Sequence, residues 1–283
     1  MALVLLFLGI SACSRKHAAL SEPKQHVTLT MGVQAAAGVN PAYGLNQIIR
    51  LLSLEGLVTT TADGRAVGRL VSDWSKSSDG LTWRFRLRPN VKFHDGSPLD
   101  AGTVKQSLDA VVRAKSIGGL PAMVDVKDVE AVSPTEITVH LEQPSTFLLE
   151  DMNLPITHDG SGTGAFYPSS RSAGEAVMNA NDSYYLGRPT IDRVVIKPYT
   201  SLRTAWADMM RGSVAFLYDV NQDALDFVRQ SSAVRVFPVS RPYAYIVFLN
   251  LHVPGLRSPL VRRAMNAGVD RDKLVKVGLQ GTG

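Results

Sequence analysis

Along residues 82–87, "TWRFRL", apolar and polar side chains alternate strictly. Trp83, Phe85 and Leu87 share one side; Thr82, Arg84 and Arg86 share the other, and Arg88 continues it. A period of two predicts a strand buried on one face. Upstream, "HVTLTMGV" (26–33) predicts a short strand, followed by the loop "AAAGVNPAYG" and a helix over "LNQIIRLLSLEGLV" (45–58). Downstream, "HDGSPL" supplies turn chemistry. Asp100 is then placed to cap a helix that carries Val104, Leu108, Val111 and Val112 on one side. "MVDVKDVEAV" and "TEITVHLEQ", joined by Ser133-Pro134, predict a hairpin. A glycine-rich turn, "DGSGTGAF", occupies 159–166. Beyond it the pattern predicts strand "TIDRVVIKPY", helix "SLRTAWADMMRG", strand "VAFLYDV", helix "QDALDFVRQ" and strand "VRVFPV". "YAYIVFLNL" (243–251) is nearly all apolar and predicts a strand buried on both faces. Ser258-Pro259 opens a final helix. Strands alternating with helices predict an α/β architecture.

Composition narrows the function. The chain has 283 residues, 45% hydrophobic and 19% charged, as a globular protein has. Its net charge of +5 is a mild excess, below the concentrated basic field of a nucleic-acid protein. Stacking on bases needs aromatics beside the cations. In residues 82–88 the two sets face opposite ways, so the arginines are a solvated strand face. The single cysteine, Cys13, excludes an internal disulfide. It closes "MALVLLFLGISAC", whose apolar core is too short to span a bilayer and reads as a secretory signal with a cleavage site.

Catalytic signals are poor. "GSGTG" lacks the Gly-Lys-Ser/Thr of a phosphate loop, and Asp159 stands where a nucleophile elbow needs glycine. None of the six histidines forms an HExxH or a close pair of metal-ligand spacing. His94, in a turn, reads as structural, His140 falls on the polar face of a strand, and His158, beside Asp159, is the one kept as a candidate ligand contact. No catalytic residue, metal or cofactor is expected.

"DGLTWRFRLRPNVKFHDGSPLDAGTVKQSL" resembles the hallmark segment of the family 5 extracellular solute-binding proteins, receptors of oligopeptide, dipeptide and nickel ABC importers. "LLSLEGLV", "VGRLVSDWSKSSDG", "GTGAF" (with Ala165 where the family usually has Pro), "YYLGRPTIDRVVIKPY" and "RSPLVRRAMNAGVDRDKLV" follow the family's order, from about residue 26 to the end. "ISAC" resembles a bacterial lipoprotein box, with Cys13 lipidated.

The resemblance implies a two-lobed, hinge-closing fold of the type II periplasmic-binding class, here the first lobe plus an accessory subdomain with the second lobe largely missing. The layout it implies is a signal peptide over 1–13, a tether over 14–25, a first lobe over 26–52 and 160–255, an accessory subdomain over 53–159, and the start of a truncated second lobe over 256–283. It implies a ligand-facing surface at Asn40, Pro41 and Tyr43, at Gly162, Thr163 and Gly164, and at Tyr243, Tyr245 and Asn250. The implied partners are a peptide or other small solute, ABC permease subunits, and the membrane through the lipid anchor; nucleic acid is not among them. The implied protein is a monomeric, periplasmic or extracytoplasmic lipoprotein and not an enzyme. A nickel chelate or an oligosaccharide is the alternative solute, and a cell-envelope hydrolase is the alternative class. Residues 1–283 alone are expected to bind solute weakly or not at all.

Overall fold

The computed structural model describes residues 26–34, 43–117, 120–121, 123–172, 174–218, 232–237 and 247–278. Cys13, the 14–25 tether, Asn40, Pro41, Tyr243, Tyr245 and the helix expected over "QDALDFVRQ" lie outside the described residues.

The chain opens with β1 (Thr28–Gln34) and α1 (Tyr43–Ser53). A small hairpin follows, β2 (Val58–Thr60) and β3 (Ala66–Gly68), then β4 (Val71–Lys76) and β5 (Thr82–Leu87). Next come α2 (Ala101–Ala114), the short pair β6 (Ser116–Ile117) and β7 (Leu120–Pro121), β8 (Val126–Ser133), β9 (Glu136–Leu141) and the single turn α3 (Leu148–Asp151). The chain then returns through β10 (Phe166–Arg171), β11 (Ala176–Ala180), β12 (Arg193–Tyr199), α4 (Leu202–Met210) and β13 (Phe216–Leu217). Towards the end lies α5 (Pro259–Ala267).

Two sheets organise these elements. In the first the order is β10-β11-β12-β1-β13, with β1 parallel to both β12 and β13 and the other pairs antiparallel. Residues far apart in sequence thus meet across β1 and β12, where Met31 pairs with Ile196. The second sheet, β4-β5-β9-β8, is antiparallel throughout, and α2 lies along β8 and β9.

Each sheet has its own core. Around the second sheet, Trp83, Phe85 and Leu87 pack with Val104 and Leu108 of α2 and with Ile137 and Val139 of β9. Phe85 is 0% exposed, whereas Arg84 and Arg86 face solvent, so the alternation of residues 82–87 is that of a half-buried strand. Asp100 caps α2 by accepting from the Thr103 backbone N–H at 2.8 Å, and Lys115 ends it in the left-handed region at φ 50°. Around the first sheet, Met31, Val33, Leu45, Ile48, Met178 and Ile196 form a separate cluster.

The structure corrects four expectations. Helix α1 ends at Ser53, short of residue 58, because Glu55 leaves the helix to bridge Ile156 and Gly56 presses against the Asn153 backbone. Of the strand expected at "VAFLYDV", the described residues 214–218 form only the two-residue β13 that pairs with β1. "VRVFPV" shows no strand in its described residues 234–237. Nor does the described part of "YAYIVFLNL" form a buried strand: Val247 is 80% exposed and Phe248 76%. Apolar composition gives a segment the capacity for burial, and no described strand pairs with these residues.

Candidate functional site

The glycine-rich turn and the end of α1 meet on a seam between the two cores. Gly164 donates its N–H to the Ser53 carbonyl at 3.0 Å, drawing the two backbones together. A Cβ on Gly164 would stand 2.5 Å from the Leu52 carbonyl oxygen and 2.7 Å from the Ser53 Cα. One on Gly162 would collide with the Ser53 carbonyl and the Leu54 side chain. Only glycine permits this approach. Gly164→Ala is accordingly expected to lower unfolding free energy by roughly 1–3 kcal/mol or more through overpacking, read as an earlier midpoint in urea denaturation. An unchanged midpoint would refute the close packing.

The turn's carbonyls are taken up by side chains. His94 donates from Nε2 to the Gly164 oxygen at 2.9 Å, since a carbonyl only accepts, and Asn181 donates Nδ2–H to the same oxygen at 3.1 Å. The His94 backbone N–H reaches the Gly162 carbonyl at 2.8 Å.

Beneath the turn lies the buried carboxylate of Glu55. It accepts from Arg69 Nε at 2.6 Å, from Tyr184 OH at 2.7 Å and, on its other oxygen, from Thr163 Oγ1 at 2.9 Å. Arg69 also donates Nη2–H to the Tyr184 oxygen at 2.8 Å. A buried charge persists only where it is paired and hydrogen-bonded, as here. Burial would lower the Arg69 pKa, and the adjacent carboxylate more than offsets it, so the guanidinium is held charged. Burial pushes the Tyr184 phenol up, with the hydrogen bond to Glu55 adding to it, and Tyr185 is pushed up to about 12 by burial and by the same carboxylate. Both phenols are donors at any physiological pH.

At the edge of the seam His158 shares its Nδ1 between Asp95 Oδ2 at 3.0 Å and Ser97 Oγ at 3.1 Å. The Ser97 hydroxyl, with help from His158, holds Asp95 down at about 2, and the hydrogen bond to Asp95 raises His158 above its ordinary 6.5. A raised histidine stabilises below 6.5 and loses that contribution as pH rises through its folded value. A depressed aspartate stabilises above 3.8 and loses it as pH falls towards 2. The pair therefore contributes most between pH 3.8 and 6.5. Asp95→Asn is expected to return His158 towards 6.5 in a proton NMR titration of its ring; an unmoved titration would contradict the pairing.

Beside the Glu55–Arg69 pair opens a concavity of about 700 Å³. Asn46, Gln47 and Arg50 of α1 line it together with Gly56 and Asn153, and Leu51, Leu54 and Pro155 add apolar surface. Its size suits a small organic ligand. Among the described residues no group of three or more His, Cys, Asp or Glu is placed to hold a metal ion.

Of the residues that sequence reasoning assigned to a site, the structure brings together Gly162, Thr163 and Gly164. They are buried: Thr163 is 0% exposed and its hydroxyl is committed to Glu55. Tyr43 begins α1. Asn250 lies in an exposed stretch and accepts from the His252 N–H at 2.9 Å. Glu55, Arg69, Tyr184 and the α1 wall escaped notice. The one available signal was an acidic residue inside the apolar run "LLSLEGLV", where a charge must find partners.

Residues 65–283 match the family model described as "Bacterial extracellular solute-binding proteins, family 5 Middle". The chain is 25% identical over 259 residues to the glutathione-binding protein GsiB of Pectobacterium atrosepticum, covering 84% of this chain and 50% of that protein. It thus spans about half the length of the curated relatives it matches. Among solved structures, NikZ from Campylobacter jejuni, in complex with Ni(L-His), aligns with a TM-score of 0.65 at 22% identity, over 90% of this chain and 55% of that one. DppA from Helicobacter pylori, in complex with the peptide STSA, aligns with a TM-score of 0.65 at 18% identity, over 90% and 58%. The fold is that of the type II periplasmic-binding class.

Proposed function

The chain belongs to the bacterial extracellular solute-binding proteins of family 5, and from that premise we propose that it is an extracytoplasmic receptor that captures a peptide and delivers it unaltered to an ABC permease. The observation that carries the reading is the concavity beside the Glu55–Arg69 pair. It offers hydrogen-bonding side chains that have no partner among the described residues, beside a buried network. Such a surface is suited to holding a small polar solute.

In this reading the protein is tethered to the membrane through lipidated Cys13. Residues 26–52 and 160–255 form a first lobe and 53–159 an accessory subdomain, a division supported by the two separate apolar clusters. Tyr43, the Gly162–Gly164 turn and Asn250 lie along or behind the ligand-facing surface. A ligand that touches both lobes only when they close selects the closed form, which is how such receptors signal occupancy to a permease. An extended peptide gives sequence-tolerant affinity by pairing through its backbone.

The peptide reading draws support from DppA, whose structure holds STSA, and a nickel chelate from NikZ, whose structure holds Ni(L-His). Native mass spectrometry of the full-length gene product, with a tryptophan-fluorescence titration against a peptide mixture and against nickel–histidine, separates them. A co-purified peptide and a saturable peptide response are expected. Saturation by nickel–histidine alone would replace the peptide, and no bound solute of any kind would defeat the receptor reading.

A further inference from the structure

We infer that Arg50 anchors a free carboxylate of the bound solute in the concavity along α1, and that Asn46 reads an amide group next to that carboxylate. The inference rests on the receptor reading above and gives its ligand a chemical definition. Three charged side chains line the concavity: Arg50, Arg69 and Glu55. Arg69 and Glu55 neutralise one another at 2.6 Å. Two guanidiniums against one carboxylate leave a net charge of +1, located at Arg50.

Arg50 is exposed, and its guanidinium has no hydrogen bond or ion pair among the described residues; its backbone carbonyl accepts from the Leu54 N–H at 2.9 Å. The side-chain amides of Asn46, Gln47 and Asn153 are likewise without partners among the described residues. A guanidinium meets a carboxylate in a two-point, planar contact. One unbalanced positive charge matches a monoanion.

Spacing then selects what accompanies the anion. Asn46 and Arg50 are four apart on one helix, so they share a face with Cβ atoms about 6 Å apart. An extended peptide advances roughly 3.3–3.6 Å per residue. With its terminal carboxylate on Arg50, its amide one to two residues back falls at Asn46, whose side chain donates and accepts as a peptide unit requires. Leu51 and Leu54 give the intervening side chains an apolar surface.

The test uses the full-length gene product and three probes, trialanine with a free C-terminus, trialanine amide and nickel–histidine, by isothermal titration calorimetry, on the wild type and on Arg50→Met. Methionine keeps the stem and removes the charge, and an unchanged thermal midpoint certifies folding. The free acid is expected to bind at least tenfold more tightly than the amide, and R50M to abolish that difference. Equal affinity for acid and amide, or an R50M protein that still prefers the acid, would overturn the inference and leave the receptor reading standing. Binding of nickel–histidine with none of trialanine would overturn it too. Failure of all three probes to bind would overturn the inference as well, whereas the receptor reading falls only if the full-length protein also carries and binds no solute of any kind.

Discussion

Phe85→Ala is expected to lower the unfolding free energy by about 3–5 kcal/mol, the range for deleting a fully buried aromatic ring. Phe85 sits mid-strand in β5, between β4 and β9, pairing with Trp74 on one side and Ile137 on the other. Its ring lies 6.3 Å from that of Trp83, stacked within 13°. It packs in one cluster with Leu108 of α2, so the ring joins the sheet to the helix. The neighbours on the flanking strands are held by backbone ladders and cannot collapse into the space. The loss is therefore transfer energy plus a cavity. Urea denaturation should show an earlier midpoint with an unchanged slope. A loss below about 1 kcal/mol would mean that the face is not closed as described.

Glu55→Ala is expected to cost a comparable amount, about 3–5 kcal/mol, by the different route of breaking a buried ion pair from one side. Removal of the carboxylate strands three donors at once: Arg69 Nε, the Tyr184 hydroxyl and the Thr163 hydroxyl. Thr163 is sealed from water, so its share is a full desolvation cost; Arg69 is 38% exposed at its side chain and recovers part of its loss by hydration. The double variant Glu55→Ala/Arg69→Ala should consequently be less destabilised than the sum of the two single changes. Strict additivity would show that the two groups do not act as a pair. Denaturant midpoints of the four proteins decide it.

What could be read from the sequence was local. The alternation of Trp83, Phe85 and Leu87 with arginines fixes which way a strand faces, because side-chain direction follows from backbone pleat alone. The Asp100 cap was equally visible, since it involves only Thr103, three residues on. Boundaries set by distant partners were not visible. The apolar spacing of α1 continues past Ser53, and the helix stops there because Ile156 and Asn153 claim Glu55 and Gly56. "YAYIVFLNL" shows the converse: its composition suits a buried strand, but burial depends on a neighbour, and Phe248 has none among the described strands. Of the site, the "GTG" turn announced itself through its glycines. The Glu55 network did not, because Tyr184 and Thr163 join it from 129 and 108 residues away. The α1 wall was hidden for a simpler reason: Asn46 and Arg50 read as the polar side of an ordinary helix until a concavity is seen beside them.

That 129-residue separation also sets a clock on biogenesis. Ribosomes elongate at about 5–20 residues per second, so Glu55 is synthesised on the order of ten seconds before Tyr184 exists. Throughout that interval the carboxylate lacks one of its donors. The Glu55 network therefore closes only after Tyr184 has been added, a window in which chaperones meet an open chain.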